Sequence, residues 1–372
     1  MSALALGSAS GVVDAPIQAP PQLEPVRITD PREAPVAGCS LADRLAARVL
    51  NDPRDRPLLA VITGMSAVLL PFAVVLYVPG LFSLPLAGLY LALVFGLFFD
   101  RYILMLHCSR HRRLFKPGIE LDGAIDWLLG PLAGQTPGTY SAHHLGMHHV
   151  EDNLWDDRST TLPFQRDSVI DFARYWSRFV LVGVAELVGY LRRHRRDKLA
   201  RRALVGEVGY LALLGALLWL DWRATTVVLV VPLVAARFGM MAGNWAQHAF
   251  VDPTDPGDPY RSSITTINTR YNRRCFNDGY HIGHHLKASR HWTEMPDDFL
   301  ANLDRYRDER AIVFEGLDYF AIWALLMVKA HRTLARHVVH LGPGPRDDAA
   351  IEALLRSRLG PVARPASQAV AA

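Results

Sequence analysis

The chain has 372 residues, half of them hydrophobic, and a formal net charge of +4, a length that allows one large domain or two modest ones. Its three cysteines, Cys39, Cys108 and Cys275, form no CxxC pair, which excludes a cysteine-rich zinc site, a fused rubredoxin-like module and a disulfide framework. The basic residues flank long apolar runs, so the charge speaks for membrane placement and contact with anionic headgroups, not for nucleic acid.

Residues 1–40 are rich in Ala, Pro, Ser and Gly without periodicity, which predicts a disordered N-terminal segment. The start lacks a basic region, so it does not read as a signal peptide. Leu41 to Leu50 predicts a short surface helix. Leu58–Val78 and Leu81–Phe99 then carry no charge, and a second apolar pair, Ala203–Leu220 and Ala224–Met241, is split by Asp221-Trp222-Arg223. About 20 apolar residues cross a bilayer as helix. The economical reading is an all-α integral membrane protein with four transmembrane helices in two hairpins, at about 58–78, 81–106, 203–220 and 224–248. Run lengths of this order disfavour the alternative, buried core helices of a large soluble protein.

The connector between the first two spans carries no positive charge and that between the second two a single arginine. The stretch from His107 to Arg202 and the segment after His248 are dense in arginine. The positive-inside bias therefore predicts an inner or plasma membrane protein whose termini and polar segments are cytoplasmic, the latter forming a helical cap. In that cap, 121–135 is too short and too charged to span and predicts an interfacial or re-entrant helix. Phe172–Tyr190 is similar, and leads into the basic run Arg192-Arg193-His194-Arg195-Arg196, a headgroup-facing or solvated patch. Val251–Tyr260 is a proline-rich loop. Asp298–Asp308 and Ile312–His331 predict helices, the second on the membrane surface, because Glu315 and Asp318 argue against a fifth span. The main domain so defined covers 41–345, and 346–372 is a tail of one weak helix and an Ala/Pro end.

Eleven of the fifteen histidines cluster at the edges of the apolar runs. His107 and His111 are four apart, as are His144 and His148, and Asn244 and His248; His281, His284 and His285 stand at i, i+3 and i+4. Each set projects from one face of a helix, so each can offer converging nitrogens. A helix rising about 1.5 Å per residue carries His107 roughly 10 Å past Asp100, so spans 2 and 4 can hold ligands beyond the membrane boundary. With His149 beside His148, nine imidazoles exceed the shell of one metal ion and suit two. Open positions on a nitrogen-rich pair favour iron and dioxygen over structural zinc, whose sites are closed and four-coordinate.

The order H-x3-H, H-x3-HH, N-x3-H, H-x2-HH, with the first box after two spans and the third after four, resembles the membrane fatty acid desaturase and alkane hydroxylase superfamily over about residues 58–295. The resemblance implies a non-haem centre of two iron ions on the cytoplasmic face, O2 as co-substrate, and an acyl or alkyl chain in a tunnel between the helices. Carried over residue by residue, it implies His107, His111, His144, His148, His149, His248, His281, His284 and His285 as iron ligands, with Asn244 acting through a water. The second box has one histidine too many; its i, i+4 relation to His148 favours His144 over His143. His291 follows the last box as a supporting or substrate-facing residue. Asp152, Asp156, Asp157 and Asp278 are candidates to orient imidazole N–H groups. Arg237, inside span 4, is expensive in lipid and reads as a carboxylate-headgroup ligand, a snorkelling cation or half of an inter-helix ion pair.

Desaturation, hydroxylation and decarboxylation of a fatty acid to a terminal alkene all begin with hydrogen abstraction at such a centre, and the boxes do not separate them; desaturation is the leading expectation. A histidine-lined metal transporter is the reading from another class, disfavoured because the histidines sit at span ends. No haem motif or iron–sulfur pattern is present in the sequence, so electrons are expected from a separate ferredoxin or rubredoxin with its reductase, docking on the arginine-rich face at Arg192–Arg196.

Overall fold

The computed structural model describes residues 26–33, 38 and 40–365; the rest of the N-terminal segment expected to be disordered, and 366–372, lie outside the described residues. After α1 (Leu41–Val49), capped by Ser40, come span 1 (Pro53–Leu76) and span 2 (Leu84–His111). Span 3 (Asp197–Leu220) and span 4 (Trp222–Gln247) complete the four helices that are long and apolar enough to cross a membrane among the described residues. Between 22% and 33% of each span's apolar window is buried inside the protein. Side chains such as Leu84, Trp219 and Leu220 face outwards, an arrangement suited to hydrocarbon. The chain is an integral membrane protein.

Each hairpin closes tightly. Only Asp221 separates spans 3 and 4, and its carboxylate accepts from the Arg223 and Ala224 N–H groups to cap span 4. The two hairpin tips are joined by a hydrogen bond of 3.0 Å between the Tyr77 hydroxyl and Thr225 Oγ1. Spans 1 and 4 each open into a π-helical turn, Met65–Leu69 and Thr226–Val230, just ahead of Pro71 and Pro232. Proline donates no N–H, and a locally wider turn re-pairs the backbone where no water can.

The 121–135 segment enters the helix bundle. It is a broken run of turns, Ile125–Leu129 and Pro131–Ala133, with Leu129, Leu132 and Ala133 buried and Trp127 and Leu128 exposed. Two glycines let it come so close. A Cβ on Gly134, which sits at φ +72°, would lie 2.0 Å from the Pro232 carbonyl oxygen, and one on Gly206 of span 3 would lie 1.7 Å from that of Pro137. The segment leads into α2 (Thr139–His143). Farther on, α3 (Val169–Arg193) is a single helix of 25 residues that turns back into span 3. Between spans 3 and 4, Arg237 pairs with Glu207 at 2.5 Å. Of the roles open to that arginine, the inter-helix ion pair is formed, with an acidic residue that sits inside the third apolar run.

Beyond span 4 the chain builds the cap. The predominantly helical architecture carries one small parallel ribbon, β1 (Ile264–Ile267) against β2 (Ile312–Glu315), with α4 (His281–Leu286) between them in sequence. The helix expected over Ile312–His331 is thus split. Its start is a strand with Ile312, Val313 and Phe314 buried, Gly316 at φ +76° turns the chain, and α5 (Tyr319–Met327) begins at its Asp318 cap. The helix expected over Asp298–Asp308 breaks at Asn302. α6 (His331–His337) and α7 (Asp348–Ser357) pack beside α5, with Leu334, Leu355 and Leu359 buried in one cluster with Phe314 and Ile322. Residues 26–33, within the stretch whose composition predicts disorder, lie across the cap instead. Asp30 is buried and accepts hydrogen bonds from the Asn268 N–H, the Asn272 amide and the Tyr280 hydroxyl, partners that composition does not reveal.

Candidate metal centre

Span 2 stays helical past its apolar part to His111, carrying His107 and His111 on one face. His248 follows the last helical residue of span 4. The His143–His149 segment and α4 fold into the space between these two span ends. The nine histidines of the expected ligand set gather there in two groups. His107, His111, His144, His149 and His284 form one; His148, His248, His281 and His285 form the other. Within each group one ligand atom per residue lies within 4.8 Å of every other.

The converging atoms are Nε2. In the first group His107 and His284, His111 and His144, and His149 and His284 approach at 2.8 Å each. In the second, His281 meets His285 at 2.8 Å and His248 at 3.2 Å. A neutral imidazole has one donor and one acceptor, so a knot of four or five Nε2 atoms cannot satisfy itself by hydrogen bonding. Two cations that accept nitrogen lone pairs satisfy both knots, and this donor set suits borderline first-row metals.

The outer nitrogens support the same assignment. His107 Nδ1 lies 2.8 Å from Asp278, whose other oxygen accepts from the Tyr271 hydroxyl at 2.6 Å. His148 Nδ1 lies 2.7 Å from Asp157, and His248 Nδ1 lies 3.0 Å from the Ser262 carbonyl oxygen. His285 Nδ1 pairs with Asp152. Carboxylates and carbonyls accept, so each of these Nδ1 atoms donates, and the Nε2 lone pair is left facing inwards. Of the four aspartates considered from sequence, Asp152, Asp157 and Asp278 orient imidazoles, whereas Asp156 pairs with Arg364 at 3.1 Å. The Ser262 carbonyl has no counterpart in the sequence reading, because a backbone oxygen leaves no sequence signal.

The second box departs from the expected α-helical geometry. The turn from His144 to His148 is π-helical, the His149 N–H reaching the His144 carbonyl, so His144 and His149 become the pair on one face, 3.1 Å apart at Nε2. His148 is turned into the other group. The i, i+4 pairing expected of His144 and His148 is replaced by i, i+5, because the wider turn adds a residue to the face; π turns recur at functional sites. One box therefore feeds both groups, as α4 does with His284 in one and His281 and His285 in the other. His143 stands outside both, its ring 6.2 Å from that of His148 and 6.3 Å from Phe179.

Burial holds His144, His248, His281 and His284 neutral. It pushes the pKa of His144, His281 and His284 well below the usual histidine value, helped by the neighbouring imidazoles. His248 is lowered to about 3 for the same reasons. His148 is the opposite case: burial disfavours its charge, but the Asp157 carboxylate outweighs that and raises it. Neutral imidazoles are the form that binds metal.

Asn244 does not belong to either group. Its amide N–H groups donate to the Ser159 carbonyl at 3.0 Å and the Tyr175 hydroxyl at 2.8 Å, which leaves Oδ1 as its open polar atom, on a cavity shared with His148 and His281. His291 is apart from the centre. Its Nε2 lies 3.0 Å from Asp55 and its Nδ1 2.7 Å from Thr293 Oγ1, tying the cap to the start of span 1. The cavity beside the histidines has a volume of about 380 Å³ and runs between spans 2 and 4 and α5, past Phe99, Ile103, Leu104, Met241 and Phe320. Its walls include His107 and His144 of one group and His148 and His281 of the other, so an apolar chain lying in it reaches both.

A sequence profile of the family described as fatty acid desaturase matches residues 83–316, from the start of span 2 to the end of β2. No curated protein and no solved structure matches the chain.

Proposed function

The chain belongs to the fatty acid desaturase family, and from that premise we propose that it is an O2-dependent, non-haem di-iron acyl desaturase of lipid metabolism. The carrying observation is the pair of Nε2 knots opening on an apolar cavity. His107, His111, His144, His149 and His284 would hold one iron and His148, His248, His281 and His285 the other, with Asn244 contributing through a water. Bound there, the iron pair supplies the O2 chemistry that removes hydrogen from an unactivated C–H bond.

The protein's own part is placement. Asp278, Asp157, Asp152 and the Ser262 carbonyl fix the tautomer and aim of four imidazoles. Asp278 is itself held by the Tyr271 hydroxyl. Phe99, Ile103, Leu104 and Met241 give an acyl chain an apolar bed and keep water from the reacting carbon. The histidine face lies on the cytoplasmic side in this reading, with the main domain over 41–345. Electrons arrive from a separate ferredoxin or rubredoxin with its reductase. The Arg192–Arg196 face suits that donor, since Arg196 donates to the Gly146 carbonyl inside the second histidine box.

Metal analysis of the purified protein, joined to mass spectrometry of lipids and headspace from expressing cells, tests the proposal. Two irons per chain, O2 consumption and a new double bond support it. Zinc without turnover overturns the enzyme reading, and a hydroxylated acid or terminal alkene as sole product overturns desaturation while leaving the centre.

A further inference from the structure

A second, smaller chamber of about 40 Å³ adjoins the acyl cavity across Tyr140, His143 and Met240, which line both. Part of its wall is polar: Gln135, Thr136, Thr139, His143 and Arg237 line it, beside the apolar Phe179, Val184 and Leu187. Two of those polar atoms, Thr139 Oγ1 and His143 Nε2, are buried without a hydrogen-bond partner, and a buried polar group left unpaired is costly. Arg237 adds a guanidinium whose carboxylate partner, Glu207, stands on its span 3 side. A hydroxyl, an imidazole nitrogen able to donate in one tautomer and a guanidinium around one small space suit a compact acceptor with two oxygens.

Resting on the acyl-oxidising reading above, we propose that the substrate is the free fatty acid, taken carboxylate first, with the carboxylate in this chamber. The methyl end of a chain would leave the same donors unpaired. A phosphate-bearing carrier such as a coenzyme or phospholipid headgroup exceeds the space. The position of the chamber also sets where oxidation falls. Tyr140 stacks on His144 with ring centroids 5.2 Å apart, and His143 stacks beside His148, so the carbons next to the carboxylate lie at the histidines. The remainder of the chain runs out along Phe99, Ile103, Leu104 and Phe320.

The test is equilibrium binding to full-length, iron-loaded protein in nanodiscs without an electron donor, using labelled palmitate and its methyl ester. Palmitate is expected to bind at least about tenfold tighter than the ester. Thr139→Val, which keeps the side-chain shape, is expected to weaken palmitate about tenfold and the ester less than about twofold. The double change Arg237→Met with Glu207→Met removes the guanidinium without stranding a carboxylate, and is expected to act likewise; retained ester binding reports that either variant has folded. Equal binding of acid and ester, or palmitate binding indifferent to Thr139→Val, overturns the inference. So does a double bond at mid-chain when palmitate is oxidised. The two readings fail separately. Selective palmitate binding without O2 consumption on adding an electron donor sinks the oxidase reading alone, and oxidation of phospholipid chains without selective acid binding sinks this one alone.

Discussion

Replacing Asp157 with asparagine separates tautomer control from simple loss of a contact. One Asp157 oxygen faces His148 Nδ1 at 2.7 Å; the other accepts from the Ser159 N–H at 2.7 Å and its hydroxyl at 2.6 Å. The side chain is fully buried. Asparagine keeps the Ser159 bonds through Oδ1, so its NH2 must face His148. A donor there forces Nδ1 to accept, and the ring proton moves to Nε2, the atom aimed at His248, His281 and His285. His148 then cannot ligate in that tautomer, and a four-nitrogen set becomes three. Loss of an imidazole's outer partner ordinarily weakens metal binding about 10–100-fold, roughly 1.4–2.8 kcal/mol. The wrong tautomer, known to cripple a histidine when asparagine replaces its aspartate, should place Asp157→Asn at or beyond the upper end. Asp157→Ala, which lets Nδ1 keep its proton, should sit nearer the lower end. The assay is iron per chain after equilibration against chelators of graded strength, with the melting temperature as a folding control. Iron held as tightly by Asp157→Asn as by the parent, or Asp157→Ala losing more than Asp157→Asn, refutes the reasoning.

Gly206→Ala drives a methyl into the Pro137 carbonyl and should destabilise by about 1–3 kcal/mol while loosening the second histidine box; Gly215→Ala, with nothing within 4 Å, is its neutral control, and equal melting temperatures count against the packing argument. Arg237→Met alone strands Glu207 and should cost about 3–5 kcal/mol, most of it recovered in the double change with Glu207→Met; thermal unfolding in detergent reads both, and a harmless single change refutes the pairing. The metal-free protein should lose stability on acidification. His144, His281, His284 and His248 have folded-state pKa values below the unfolded value, so the unfolded chain binds more protons below about pH 6.5. Stability is full above that pH and falls below it by about 1.4 kcal/mol per pH unit for each such histidine, offset in part by His148, whose raised pKa acts in the opposite sense. Melting temperatures unchanged between pH 7.5 and 5.5 go against the buried, neutral state of these rings.

What could be read from the sequence follows the range of the interactions involved. The four spans depend only on local composition, so run length located each of them, with ends up to about six residues from those of the helices. The nine histidines were equally legible, because helical spacing and box order are local properties. The π turn at His144–His148 was not, since α and π turns differ by which carbonyl one N–H reaches, and both run through the same residues. β2 was hidden for a related reason. Ile312–Glu315 joins an apolar helical pattern in the chain, and only pairing with Ile264–Ile267, far away in sequence, makes it a strand. Residues 26–33 escaped for the same cause, as Asp30 is ordered by partners more than two hundred positions on.

The division matters for function. The residues proposed to hold metal announce themselves by type and spacing, and they point to a kind of chemistry shared across a family. The residues proposed to choose a substrate are ordinary ones: Gln135 and Thr139 gain meaning only when a re-entrant segment, allowed by Gly134 and Gly206, brings them against Arg237 and Met240 of span 4. A single methyl group at either glycine would push those walls apart while leaving the sequence of every histidine box unchanged. Two chains with identical boxes can therefore oxidise different carbons, and the glycines that admit the 121–138 segment are where such a difference would first be written.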